Sequence, residues 1–159
     1  MIRRTIRRTA SLVAITAALL TAPAATSFAA DRASPEQAKS LVADAVAYLK
    51  AKGPEEATKA FQDPKGSFRR GELYVFVFDT NGRYVASGAN PRLAGSEAAD
   101  LKDAEGKPIV QAMITETKDK PSAVIDYVWL NRQSNKVEHK HSYVTRDGNY
   151  IVGAGTYDQ

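Results

Sequence analysis

The run Glu72 to Pro91, ELYVFVFDTNGRYVASGANP, limits what this chain can fold into more than any other stretch. Leu73 to Asp79 is dense in Val, Phe and Tyr, residues that suit a pleated, covered surface. Alternation along a strand sends Tyr74, Phe76 and Phe78 to one face and Leu73, Val75 and Val77 to the other. Both sets are apolar, so the strand is predicted to be central and covered on two sides. Three rings on one face can wall a pocket. Asn81-Gly82 predicts a tight two-residue turn with positive φ, and Arg83 to Ser87 is the predicted return strand.

Helices precede this hairpin. Ser34-Pro35-Glu36-Gln37 carries a cap, a first-turn proline and the glutamine of a capping box. Ala38, Leu41, Val42, Ala45, Val46 and Leu49 then recur at helical spacing, which gives one apolar stripe. Gly53-Pro54 predicts its end at Lys52, and a shorter helix is expected over Glu55 to Phe61. After the hairpin, Gly88 to Lys107 lacks strong periodicity, a length that is often functional in a compact domain. Pro108 to Lys118 predicts a further helix. Ala123 to Leu130, Val137 to Thr145 and Tyr150 to Tyr157 are predicted strands, the last two joined at Asp147-Gly148. The order gives an α+β domain with a five-stranded, mainly antiparallel sheet, a long N-terminal helix and further helices covering at least one face.

The N-terminal region sets the cellular context. MIRRTIRR is basic, the following eighteen residues are apolar and uncharged, and Ser27-Phe28-Ala29 suits a signal peptidase. Residues 1–29 are therefore expected to be a cleaved export signal, by the general or the twin-arginine route, with no stable membrane insertion afterwards. Residues 30–159 are expected to form one domain, periplasmic or secreted. The chain holds 22 Lys+Arg and 18 Asp+Glu. Four of those arginines (Arg3, Arg4, Arg7 and Arg8) lie in the leader, which leaves 18 bases against 18 acids. That balance gives no reason to expect nucleic acid as a partner. Cysteine is absent, which excludes disulfides, thiol catalysis and cysteine zinc sites.

LYVFVFDTNGRYVASGANPRLAG, DLKDAEGKP, IDYVWLN, KHSYV and NYIVGAGTY, in that order, resemble the single-Cache domain family, type 2. The resemblance covers about residues 34 to 158. It implies an extracytoplasmic sensor domain with a PAS-like sheet, and a pocket between the sheet and its covering segments for a small organic acid or similar metabolite. In most members such a domain is tethered to a transducer, a chemoreceptor, a histidine kinase or a cyclase; for this chain a separate membrane receptor, kinase or transporter is the expected partner. The chain looks like a free-standing version of such a domain. Many relatives carry a histidine where this chain has Ser87, which implies a different ligand if that side chain touches it.

The candidate ligand-binding residues are Tyr74, Phe76, Ser87, Asn90, Arg92, Tyr127, Trp129, Lys140 and Tyr143. Aromatic rings supply apolar walls, and Tyr and Trp add hydrogen-bonding tips. Lys140, which aligns with a lysine of the family, offers a charge-assisted hydrogen bond to a carboxylate. Strict alternation places Lys140 and Tyr143 on opposite faces, so either a bulge brings them together or only one lines the pocket. Lys107 is a weaker cationic candidate. Gly153-Ala154-Gly155 inside the last strand is expected to allow close packing. His139 and His141 form His-x-His on one strand, two ligands at most for a metal, so neither metal nor cofactor is expected. No Gly-x-Ser-x-Gly elbow, His-Glu-x-x-His or phosphate loop is present, and the chain is not expected to be an enzyme. A ligand-free interaction or dimerisation module stays open as an alternative, as do a metal or haem carrier and an enzyme with scattered acids.

Overall fold

The computed structural model describes residues 32–158. The expected leader, residues 1–29, lies outside the described residues. Helix α1 (Pro35–Gln62) begins on Ser34, whose hydroxyl accepts from the Gln37 amide while Gln37 returns a bond to the Ser34 amide. These two bonds satisfy N–H groups that a helix start leaves orphaned. The helix is broken at Gly53, with φ 78° and ψ 167°, followed at once by Pro54. The two expected helices are thus one run with a sharp internal kink, and its second limb ends on Gln62.

The strands are β1 (Arg69–Arg70), β2 (Leu73–Tyr74), β3 (Phe76–Asp79), β4 (Tyr84–Ser87), β5 (Ser122–Asn131), β6 (Lys136–Asp147) and β7 (Tyr150–Tyr157). A 3-10 turn (Pro91–Leu93) and helix α2 (Ile109–Glu116) lie between β4 and β5. Five strands make the main sheet in the order β4-β3-β7-β6-β5, antiparallel at every pairing. The expected single strand from Leu73 to Asp79 is interrupted at Val75. Its first two residues instead pair with β1 in a small ribbon.

The first hairpin differs from its expected two-residue turn. Asp79 N–H donates to the Arg83 carbonyl, Gly82 N–H donates to the Asp79 carbonyl, and only Gly82 has positive φ. The loop is therefore three residues, Thr80 to Gly82, with glycine in the left-handed position that such loops require. The Asp79 carboxylate holds it by accepting from the amides of Asn81 and Arg83. Within the same hairpin Val77 pairs with Ala86 but Phe78 pairs with Tyr84, leaving Val85 as an extra bulged residue. This bulge turns Tyr84 and Ser87, three residues apart, toward one face.

The sheet separates two cores. On one side the α1 stripe of Ala38, Leu41, Val42, Ala45 and Leu49 packs on Val75, Val77, Ala86, Val152 and Ala154. On the other side Phe76, Phe78, Tyr84, Ile125, Tyr127 and Val144 meet Ile109, Val110 and Met113. The expected two-sided cover of β3 is observed. Topology explains the second layer: β4 and β5 are opposite edges of the sheet, so the chain linking them must cross a face. It crosses over the rings.

Candidate functional site

The crossing segment does not close down fully on the aromatic face. A cavity of about 50 Å³ remains beneath it, several times the about 10–15 Å³ that one water needs. Phe76, Phe78, Tyr84, Tyr127 and Trp129 wall the sheet side; Leu93, Leu101, Ile109 and Met113 roof it. Tyr127 and Trp129 meet edge to face at 6.0 Å, and Phe78 lies 4.4 Å from Tyr84 between ring centres. A second hollow of about 160 Å³ adjoins it, lined by Arg69, Glu72, Asn131 and Gln133 among others. Tyr74, Ala89 and Arg132 belong to both hollows, so the site has an inner aromatic chamber and an outer polar one.

The floor depends on two glycines of β7. A Cβ on Gly153 would stand 2.3 Å from Phe76 Cζ, and one on Gly155 would stand 2.7 Å from Lys140 Cε. The Phe76 ring and the Lys140 stem thus lie flat across the strand, which any larger residue would prevent. Lys140 is 1 % exposed. Its ammonium donates to the Tyr74 hydroxyl at 2.7 Å and sits over the rings of Tyr74 and Tyr157, 4.1 and 4.9 Å from their centres. A buried cation demands such partners. Lys140 and Arg132 have no carboxylate partner among the described residues.

Burial shapes the phenols. It pushes Tyr84 up to about 12, aided by the charge of Tyr74, and it also raises Tyr127 and Tyr157. Tyr74 feels the same burial, yet the Lys140 charge and hydrogen bond, then Tyr157 and Arg132, bring it below the ordinary phenol value. Tyr127 shares a 2.9 Å hydrogen bond with Ser142, and Tyr157 donates to the Leu130 carbonyl at 3.1 Å.

Of the nine candidates, Tyr74, Phe76, Ser87, Asn90, Tyr127 and Trp129 line the inner chamber. Ser87 also accepts from the Asn90 amide, and Asn90 caps the 3-10 turn by accepting from the Arg92 amide. Lys140 lies one layer behind, reaching the chamber only through Tyr74. Arg92 is exposed on the turn, outside the lining. Tyr143 faces α1 on the opposite side of the sheet, with Lys39 5.1 Å from its ring centre. The alternation along β6 is unbroken from Lys140 to Tyr143, and no bulge reconciles them. Lys107 is also elsewhere: its ammonium donates to the Asp126 carbonyl on the free edge of β5. His141 is held between Asp126 and Asp158, 2.6 Å from each.

Among the lining residues absent from the nine candidates, Tyr84 and Arg132 carry polar chemistry into the inner chamber. Tyr84 reaches the chamber because of the bulge at Val85, which alternation counted back from Ser87 places on the wrong face. Arg132 stands at the head of a polar loop and shows no periodic signal; its position next to Trp129-Leu130-Asn131 was the one available clue.

The sequence matches the family described as Single Cache domain 2 over residues 7–159. The chain belongs to that family. Cache domains of this kind are extracytoplasmic sensor modules that bind small ligands, and the PAS-like α+β architecture agrees with the fold described above. A methyl-accepting chemotaxis protein from Vibrio parahaemolyticus superposes with a TM-score of 0.67 at 18 % identity, covering 77 % of this chain and 86 % of that one. A periplasmic sensor domain of a chemotaxis protein gives 0.62 at 26 % identity, covering 78 % and 90 %. A Cache chemosensory domain solved as the basis for carboxylic acid recognition gives 0.62 at 20 % identity, covering 78 % and 88 %. Among the described residues no helix is long and apolar enough to cross a membrane.

Proposed function

We propose that this Cache domain is an exported binding module for a small metabolite bearing a carboxylate, and that it acts in signalling or uptake through a partner protein rather than by catalysis. The observation that carries the reading is an aromatic chamber with two cations beside it, Lys140 behind Tyr74 and Arg132 at the mouth, neither paired with a carboxylate among the described residues. A carboxylate there gains charge-assisted hydrogen bonds, and a cavity of this size suits a molecule of a few carbons. The carboxylic acid recognition named for one structural relative supports the same class.

The outer chamber offers a route outward. Glu72 and Asn131 line it, and Asn131 donates to both Glu72 and Glu138. Arg32, just ahead of α1, donates to the same two carboxylates. A ligand that moves Arg132 and its neighbour Asn131 therefore pulls on the entry to α1, where a membrane receptor, kinase or transporter can read the change. Residues 1–29 fit this reading as the export signal.

Thermal melting of the mature protein against a panel of millimolar short-chain acids and amino acids is the test. One or more short carboxylates are expected to raise the midpoint, and Arg132→Ala is expected to weaken that shift without lowering the ligand-free midpoint. Flat curves across the panel would remove the reading in favour of a ligand-free interaction module.

A further inference from the structure

His141 shares the α1 side of the sheet with Tyr143, two residues further along β6, and it lines neither chamber. Its Nδ1 is 2.6 Å from the Asp126 carboxylate and its Nε2 is 2.6 Å from that of Asp158. An ionised carboxylate only accepts hydrogen bonds, so each ring nitrogen must donate. Both nitrogens donate at once only in the imidazolium form. The contacts therefore place a positive ring between two negative groups.

The two partners are anchored unequally. Asp126 stands inside β5, directly across from His141, and its carbonyl accepts from the Lys107 ammonium. Asp158 lies past the end of β7, where its amide donates to the His139 carbonyl at 3.2 Å. Tyr157, one residue earlier, is still paired with Lys140, and its hydroxyl donates to the Leu130 carbonyl. A neutral imidazole keeps one N–H and turns a lone pair toward the other carboxylate. Repulsion then opens one of the two contacts, and Asp158 is the partner with less to hold it.

We propose that His141 is a proton-binding site that clasps the end of β7 to β5 while doubly protonated, and that on losing a proton it releases Asp158 but neither Asp126 nor Tyr157. The clasp is separate from the ligand chambers and does not rest on the carboxylate reading. It lies at the end of the sheet where Arg32 binds Glu138, the residue before His139 on β6. A partner docked at the entry to α1 therefore meets the proton signal at the same end of the molecule.

The groups around His141 are Asp126 from β5, Asp158 after β7, His139 and Tyr143 on β6, Lys107 from the crossing segment, and Glu36 and Lys39 of α1 beside Tyr143. Hydrogen bonds to Asp126 and then Asp158 outweigh partial burial and raise the ring above 6.5. The clasp is thus closed below 6.5 and opens as pH rises through the raised value. Histidine is the side chain whose ordinary charge change falls near neutral pH, so no other residue type is needed for the switch.

NMR of the ligand-free mature protein, from mildly acidic to alkaline pH, reads both events. Ring-nitrogen shifts follow His141, and carbon-detected signals follow Asp126, Tyr157 and Asp158 independently of amide exchange. Both His141 nitrogens should carry protons at the acid end and lose one in a step above 6.5. In that step the released population of Asp158 should grow about two- to fivefold, as expected for a partly exposed ion pair, while Asp126 and Tyr157 hold. Asp158→Asn should move the His141 step to lower pH, and His141→Gln should abolish the pH step at Asp158. Asp158 belongs to no strand, so its substitution reads the clasp and not the fold. Asp158 signals that ignore the His141 step, release of Asp126 instead, a singly protonated ring below 6.5, or a step unmoved by Asp158→Asn each overturn the proposal.

Discussion

Gly155 is where a single hydrogen atom decides the shape of the site. A methyl group in its place would lie 2.7 Å from Lys140 Cε, 2.6 Å from Ser142 Oγ and 2.9 Å from the His141 carbonyl. The last of these is backbone and cannot step aside. Gly155→Ala is therefore expected to cost about 1–3 kcal/mol through overpacking, read as a lower urea midpoint. It should also weaken acid binding, because Lys140 must move away from Tyr74. A midpoint equal to wild type would show that the strand has room the geometry denies. The sequence flags this glycine pair as a place of close approach. It does not name the approaching groups, which come from β3 and β6, separated from Gly153 and Gly155 along the chain and brought opposite them only by strand pairing.

Among the elements, the crossing segment from β4 to α2 matters most. Its irregularity is legible in the sequence, and Asp103 is the side chain that ties its far end to β5. Asp103 accepts from the amides of Glu105 and Lys107 with one oxygen and from the Val128 amide of β5 with the other. Burial pushes its carboxyl up, but these backbone donors, with Lys107, bring it below the usual carboxylate value. The same contacts cover the free edge of β5, a row of groups that would otherwise invite another strand. Asp103→Ala is expected to speed hydrogen exchange at Glu105, Lys107 and Val128 and to weaken ligand binding, while amides of α1 keep their protection. Uniform exchange across both layers would instead mean that Asp103 supports the whole fold and not the roof alone.

For the molecule as a whole, stability should have two pH limbs. Glu138 is held down to about 2, first by the Arg32 hydrogen bonds and then by Ser134 and Asn131. A carboxyl lowered in the folded state stabilises above its unfolded value and ceases to do so as pH falls through the folded one. This contribution is lost from about the ordinary carboxylate value of 4.5 down toward 2. His141 behaves oppositely. Hydrogen bonds to Asp126 and Asp158, outweighing partial burial, raise it above 6.5. Its contribution is fully present below 6.5 and disappears as pH rises through the raised value. Urea midpoints measured across pH should fall at both ends. Glu138→Gln should flatten the acid limb and His141→Gln the near-neutral one; a curve unchanged by either substitution would contradict the pairing described.

What the chain determines locally could be read from it directly. Alternation along Leu73 to Asp79 depends only on neighbouring bonds, as do the Ser34 cap, the Gly53 break and the hairpin between β6 and β7. Each appears as expected or nearly so, and the ordered blocks shared with Cache domains carry the family. The tertiary structure decided the rest. A one-residue bulge in β4 brings Tyr84 into the chamber lining, cross-strand pairing sets Lys140 behind Tyr74 instead of in that lining, and loop placement brings Arg132 rather than Arg92 to the mouth. These outcomes depend on registers between distant strands and on the reach of side chains across them. No local pattern encodes that information, because the contacts form only when the whole sheet is assembled.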